Sequence, residues 1–142
     1  MQWDASANAG FSNAPKECMY IRQDEAADRP TVEAQSKDPA SLLNEVKKLI
    51  CVRQAHPAMQ SYGDISFISR GAEGEPLVYL RSGEDEKILI ALNPSDAEVS
   101  FPYEGKCGET LYSYGGETRR EDGRIFIPAR SCAFIKVEGD GR

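Results

Sequence analysis

The chain has 142 residues, of which 17 are basic and 23 acidic, so its formal net charge is -6. A nucleic-acid-binding domain needs a basic surface that displaces counterions, and no part of the sequence supplies one. No run of about 18 apolar residues indicates a membrane span, and the first ten residues do not have the pattern of a secretory signal. The composition predicts a globular chain with neither nucleic acid nor membrane as partner.

The cysteines are widely spaced and never form a C-x-x-C pair, which disfavours a zinc ribbon or a thioredoxin-like site. They are Cys18, Cys51, Cys107 and Cys132. We therefore predict free thiols in a reducing compartment, which favours a cytoplasmic location.

Residues 1–37 show no sustained apolar period and are rich in Asn, Asp, Ser, Gly and Pro. So long a stretch without regular structure is uncommon in a self-sufficient domain. We expect this segment to be irregular, and either to be disordered or to lack the partner surface that would order it.

Asp38 and Pro39 predict the start of a helix over residues 39–55, because Asp is a good N-cap and Pro suits the first helical position. The predicted helix ends at His56, since the residue before Pro57 is disfavoured in the α region. Its apolar side chains fall on about one third of the helical wheel. They are Leu42, Leu43, Val46, Leu49 and Ile50.

From residue 64 onward, short runs rich in β-branched and aromatic residues alternate with turn signals. The seven candidate strands are DISFISR, PLVYLRS, EKILIALN, AEVSF, ETLYSY, RIFIP and SCAFIKVE. PLVYLRS and EKILIALN are the most apolar, so we expect them to be central and joined by a hairpin. The pattern predicts a mainly β fold, with an antiparallel β-sandwich over residues 61–142 preceded by a separate segment over 1–60.

The sequence offers no catalytic set. His56 is the only histidine, and its place at a helix end favours a capping or packing role. The acidic run 84–86 falls in a hairpin, where solvated charges are expected. No cluster has metal-ligand spacing, no Gly-rich segment has the context of a phosphate loop, and no Ser or Cys has a nucleophile's surroundings. We predict no catalytic residue, no metal and no cofactor.

Aromatic side chains allow one binding role. Exposed Tyr103, Tyr112 or Tyr114 would form a platform for sugar rings, although an aromatic residue in a strand is usually part of the core. Trp3 stands apart, because it lies in an irregular stretch beside Asp4 and Asn8. There a ring and polar groups are able to face a ligand.

Several segments in order resemble one family. MQWDASANAGFS, then RPTVEAQSKDPASLLNEVKKLICVRQAHPAM, then PLVYLR with LIALNPS resemble the C-terminal portion of α-amylase-family glycoside hydrolases. The likeness is to intracellular α-glucosidases, oligo-1,6-glucosidases and trehalose-synthase-like members. MQWD followed by NAGF is its most specific part.

The resemblance implies that residues 1–11 form a loop near the mouth of a sugar site, with Trp3 and Asp4 as substrate-binding residues. Residues 1–60 would be the C-terminal remnant of a catalytic (β/α)8 barrel, and the helix over 39–55 its last helix. Family members cleave or transfer α-glucosidic bonds with retention, using a nucleophile and an acid/base carboxylate. Those carboxylates would precede Met1.

We therefore expect a non-catalytic C-terminal fragment that supports a parent barrel. The alternative is an independent carbohydrate-binding β-sandwich. The partners this implies are the parent barrel and an α-glucan. The apolar face of helix 39–55 would otherwise fold back onto the sandwich or pair with a second copy in a homodimer.

Overall fold

The computed structural model describes residues 2–72 and 74–138. The chain divides into two compact units, residues 1–50 and residues 51–142. None of the helices in the described ranges is long and apolar enough to cross a lipid bilayer. All four cysteines are free thiols, as predicted.

The first unit contains two 3-10 turns, at Ala7–Gly10 and Lys16–Cys18, and a short helix, α1, at Val32–Lys37. Helix α1 begins where the Oγ1 of Thr31 accepts a hydrogen bond from the amide of Ala34, at 3.1 Å. The prediction that residues 1–37 are irregular throughout is therefore wrong at α1. Six residues are too few to show an apolar period, so the N-cap was the only signal.

Helix α2 spans Leu42–Ala55 and so begins three residues later than predicted. The predicted N-cap is wrong. Asp38, which precedes a proline, is extended, and its Oδ1 accepts from the amide of Ala40 at 2.9 Å. The hydroxyl of Ser41 accepts from the amide of Asn44 at 3.3 Å and starts the helix instead. The predicted end is confirmed, because His56 has extended backbone angles.

Helix α2 buries none of its residues. Leu42, Val46 and Ile50 follow one another at four-residue intervals on one face, and their exposed fractions are 72%, 43% and 48%. A stripe of large aliphatic side chains is thus left in contact with solvent.

The second unit is mainly β, as predicted, and its described residues contain eight strands. These are β1 Asp64–Arg70, β2 Leu77–Ser82, β3 Lys87–Asn93, β4 Val99–Pro102, β5 Cys107–Tyr114, β6 Arg119–Glu121, β7 Arg124–Ile127 and β8 Ser131–Val137. One sheet has the order β1-β2-β3-β8-β5 and the other β4-β7-β6. Every neighbouring pair is antiparallel. Strand β6, with three exposed residues, was not predicted.

The core follows from the alternation of side chains along the strands. In β3, the side chains of Leu89 and Ala91 point to one face, where they form a cluster with Phe101, Ile125 and Ile127 of the three-stranded sheet. Residues of both sheets therefore share one apolar core.

The opposite face of β3 carries Ile88 and Ile90, which are 0% and 1% exposed. They form a second cluster with Ala58, which lies in a 3-10 turn at Pro57–Met59. The short segment after α2 therefore covers part of the outer face of the five-stranded sheet. This placement determines one of the two sites described below.

Candidate functional site

The first candidate site is the loop that contains Trp3 and Asp4. The Oδ1 of Asp4 accepts hydrogen bonds from the hydroxyl and the amide of Ser6, the latter at 2.9 Å. These two bonds, together with the positive charge of Arg29, hold the pKa of Asp4 below its ordinary value. The carboxylate is thus ionised at neutral pH and acts as an acceptor and a negative charge, not as a proton donor.

Trp3 keeps 54% of its surface exposed. Its amide donates to the carbonyl of Ala9 at 3.0 Å, which folds the loop back on itself. Asn8, Ala9 and Gly10 all have positive φ, at 54°, 52° and 74°. Left-handed backbone in succession is unusual for residues other than glycine.

Glycine at position 10 is required by a close approach as well as by its φ angle. A Cβ atom there would lie 2.8 Å from the Oδ2 of Asp4 and 2.9 Å from the Cβ of Trp3. The loop is further fixed by the side chain of Asn8, which donates to the carbonyls of Ser12 and Ala14 at 2.9 and 2.6 Å. An exposed indole and an ionised carboxylate are therefore held side by side.

Main-chain bonds join this loop to the start of α1. Gln2 forms a parallel bridge with Thr31. The amides of Val32 and Glu33 donate to the carbonyls of Gln2 and Trp3, at 2.7 and 2.9 Å. The backbone of Trp3 is thus hydrogen-bonded both to Ala9 and to Glu33, which fixes the position of its exposed ring.

The three tyrosines of the alternative binding hypothesis do not form a platform. Tyr112 is only 9% exposed, and its ring centroid lies 5.6 Å from that of Phe134. Tyr103 packs against Phe101, with ring centroids 6.5 Å apart. Of the three, Tyr114 has a largely exposed side chain, at 53%. No specific observation favours sugar stacking at these positions.

The second candidate site lies around Glu86, and sequence reasoning missed it. The Nδ1 of His56 lies 2.7 Å from the Oε1 of Glu86, and the side chains are 20% and 10% exposed. The Nζ of Lys136, on β8, lies 3.4 Å from the same oxygen, and the amide of Ala58 donates to Oε2 at 3.4 Å. The expectation that the acidic run 84–86 is solvated is therefore wrong for Glu86.

A second charged side chain holds the same segment. The Nε of Arg81 donates to the carbonyl of Ala58 at 3.0 Å, and its guanidinium also donates to the carbonyl of Gln60. The Nε2 of Gln60 donates in turn to the carbonyl of Arg53, in the last turn of α2. Polar backbone groups of the segment are thus bound by side chains of the β2–β3 hairpin, while the side chain of Gln60 binds the backbone at the end of α2.

Two glycines allow Ala58 to come this close. A Cβ atom at Gly63 would lie 2.5 Å from the carbonyl oxygen of Ala58, and one at Gly83 would lie 3.1 Å from its nitrogen. We name residues 56–60 the joint segment. Its contacts are hydrogen bonds to a carboxylate, a guanidinium and backbone carbonyls, which are those of a structural attachment.

Within the described residues, no group of three or more His, Cys, Asp or Glu side chains is placed to hold a metal ion. His56 is bonded to Glu86, in agreement with the packing role predicted for it.

The comparison with solved structures defines the class of fold. The structure of trehalulose synthase from Pseudomonas mesoacidophila matches with a TM-score of 0.82 and 23% identity. The match covers 96% of this chain and 24% of that one. The two chains share a fold over this region.

The sequence comparisons specify the relationship. The family model described as "Alpha amylase, catalytic domain" matches residues 1–62 of this chain. A probable alpha-glucosidase from Rhizobium meliloti is 28% identical over 137 residues, which are 96% of this chain and 24% of the relative. A probable oligo-1,6-glucosidase from Bacillus subtilis is 25% identical over 139 residues, which are 95% of this chain and 24% of the relative. The chain resembles the α-amylase family of glycoside hydrolases, which confirms the resemblance seen in its motifs.

The chain thus spans about a quarter of the length of the curated relatives it matches, 24% in both. The rest of each relative has no counterpart in these 142 residues.

Proposed function

We propose that this chain is the C-terminal part of an α-amylase-family enzyme and that its role there is to support the catalytic barrel. On this proposal residues 1–60 are the end of the barrel, and residues 61–142 form an antiparallel β-sandwich whose two sheets share the core described above. The parent enzyme would act on α-glucosidic bonds with retention. The chain alone would have no glycosidase activity.

The observation that carries the proposal is the bare apolar face of α2. Leu42, Val46 and Ile50 are each more than 40% exposed, although burying such a side chain is worth roughly 1.5–3 kcal/mol. A helix of this composition is suited to lie against a hydrophobic surface. The match of residues 1–62 to an amylase catalytic domain supports the proposal that this surface is a barrel of the same protein.

A direct assay tests the missing activity. The purified 142-residue chain is incubated with maltose and with isomaltose, and released glucose is measured. We expect none above a blank without protein, and sustained release would contradict the proposal. The gene sequence upstream of the codon for Met1 should encode a barrel with the catalytic acids.

Trp3 and Asp4 form part of this proposal as residues at the mouth of the sugar site. An exposed indole offers a flat face to a sugar ring, and an ionised carboxylate accepts hydrogen bonds from hydroxyl groups. In the full-length enzyme, Trp3→Ala should raise KM for oligosaccharides more than it lowers kcat. Unchanged KM would remove Trp3 from the site.

Two further elements complete the proposal. In the isolated chain the apolar face of α2 pairs with the same face of a second copy, because it would otherwise stay exposed to solvent. The four free thiols support an intracellular location, because cysteines persist as thiols where glutathione keeps them reduced.

A further inference from the structure

We infer that the joint segment, residues 56–60, is a lid over the outer face of the five-stranded sheet, and that acidification opens it while the sheet stays folded. The carboxylate of Glu86 holds this lid closed. The inference goes beyond the proposed function and holds whether or not the chain is part of a glycosidase.

The lid covers apolar side chains of the sheet. Ala58 is 0% exposed and lies against Ile88 and Ile90. Met59 packs against the same cluster. If the segment moves away, the outer surfaces of both isoleucines meet water.

Polar bonds hold the lid in place, in addition to the apolar contacts of Ala58 and Met59. Ala58 has only one methyl group to bury. By contrast, Glu86 accepts from His56 and from the amide of Ala58, and Arg81 donates to the carbonyls of Ala58 and Gln60. Hydrogen bonds to charged groups are the stronger ones, particularly when they are shielded from solvent.

The charged groups that face the Glu86 carboxylate are His56, from the joint segment, and Lys136, from β8. Both favour the ionised carboxylate. Protonation of Glu86 would remove the negative charge that both basic side chains face.

The direction of the pH effect follows from these contacts. Burial by itself raises the pKa of a carboxylate, but the hydrogen bonds from His56, Ala58 and Lys136 outweigh burial and lower the pKa of Glu86. A group whose pKa is lowered in the folded state contributes stability above its unfolded pKa, and this is lost as the pH falls through the folded value. The lid is therefore closed at neutral pH and opens in acid.

The test uses hydrogen exchange of the whole chain at neutral pH. Glu86→Gln keeps the size of the side chain and removes its charge, as protonation does. We expect amides in residues 51–60 to exchange about ten to a hundred times faster, which corresponds to losing one or two charge-assisted hydrogen bonds. Amides of β3 and β8 should change less than about twofold.

The matched control is Glu84→Gln, an exposed acidic residue of the same hairpin, which should leave residues 51–60 as in the wild type. The inference is overturned if Glu86→Gln leaves residues 51–60 unchanged. It is also overturned if β3 and β8 lose protection together with them, because the segment is then not a separate lid.

Wild-type protein decides the question should Glu86→Gln fail to fold. Exchange is followed from about pH 6 to about pH 3 and corrected for the intrinsic pH dependence of amide exchange. We expect residues 51–60 to lose protection at a higher pH than β3 and β8, with an accompanying rise in binding of a hydrophobic dye. Loss at a single common pH would overturn the inference.

Discussion

The side-chain amide nitrogen of Asn93 lies 2.7 Å from the carbonyl oxygen of Pro128 and 3.2 Å from that of Ile127. The same nitrogen also donates to the carbonyl of Ala97 at 2.8 Å. The Oδ1 of Asn93 accepts from the amide and the hydroxyl of Ser95. Asn93 is 2% exposed. One buried amide therefore joins the end of β3 to the end of β7.

We predict that Asn93→Asp lowers the free energy of unfolding by about 3 kcal/mol or more. The substitution has the same shape but places a carboxylate against three carbonyl oxygens. Urea unfolding at neutral pH measures the change. Asn13→Asp, at an exposed position, should stay within about 0.5 kcal/mol of the wild type, and an equal effect of both substitutions would contradict this account.

Gly63→Ala should destabilise the second unit by about 1–3 kcal/mol. The added methyl would lie 2.5 Å from the carbonyl oxygen of Ala58, so the joint segment must shift. Gly108→Ala is the control, because its methyl would approach nothing nearer than 3.4 Å. Thermal unfolding of both variants measures the difference. Equal melting temperatures would show that the joint segment shifts without loss of stability.

Ser6→Ala should raise the pKa of Asp4 toward its ordinary value, because the hydroxyl of Ser6 is the main group that lowers it. The lowered pKa stabilises the folded loop above the unfolded pKa of Asp4, and this contribution fades as the pH falls through the folded value. Carboxyl NMR titration measures the shift directly. Ser36→Ala, in α1, should leave the titration of Asp4 unchanged, and a similar shift in both variants would be contrary to this assignment.

The single tryptophan gives a test of what covers the first unit. In the isolated chain Trp3 is more than half exposed, so its fluorescence should be red-shifted and readily quenched by acrylamide. In the full-length enzyme proposed above, quenching should fall if the barrel mouth surrounds the ring, and should return to that of free tryptophan on denaturation. Equal quenching in both forms would place Trp3 away from any covered site.

Val46→Glu should prevent self-association of the isolated chain. The substitution puts a charge in the middle of the aliphatic stripe of α2, where a partner helix would have to desolvate it. Light scattering across a concentration series should show a larger mass for the wild type than for the variant. Cys51→Glu, an exposed position on the same helix, should associate like the wild type, and a monomeric wild type would refute pairing through α2.

The strands were predictable because their side chains alternate in a way that needs no knowledge of partners. The strand β3, Lys87–Asn93, was expected to be central, and it pairs with β2 on one side and β8 on the other. By contrast, α1 is too short to show a period. The start of α2 was misplaced because Asp38 and Ser41 both suit an N-cap, and only the turn through Pro39 decides between them.

The joint around Glu86 was not predictable in the same way. His56 and Glu86 are 30 residues apart, and only the β2–β3 hairpin brings the carboxylate to the end of α2. The available signal was the single histidine, His56, before a proline. It indicated a packing role but not the residue against which His56 packs. The carboxylate was indistinguishable by sequence from Glu84 and Asp85, which are exposed.

The β2–β3 hairpin is therefore a poor site for an insertion. Its amide-to-carbonyl bond, from Gly83 to Glu86 at 2.8 Å, sets the position from which Glu86 reaches His56, so an inserted tag or a grafted loop there would detach the carboxylate. The turn between β6 and β7 has Asp122 and Gly123 at positive φ, and a Cβ atom on Gly123 would have nothing within 4 Å. A fusion or a labelling site belongs in that second turn.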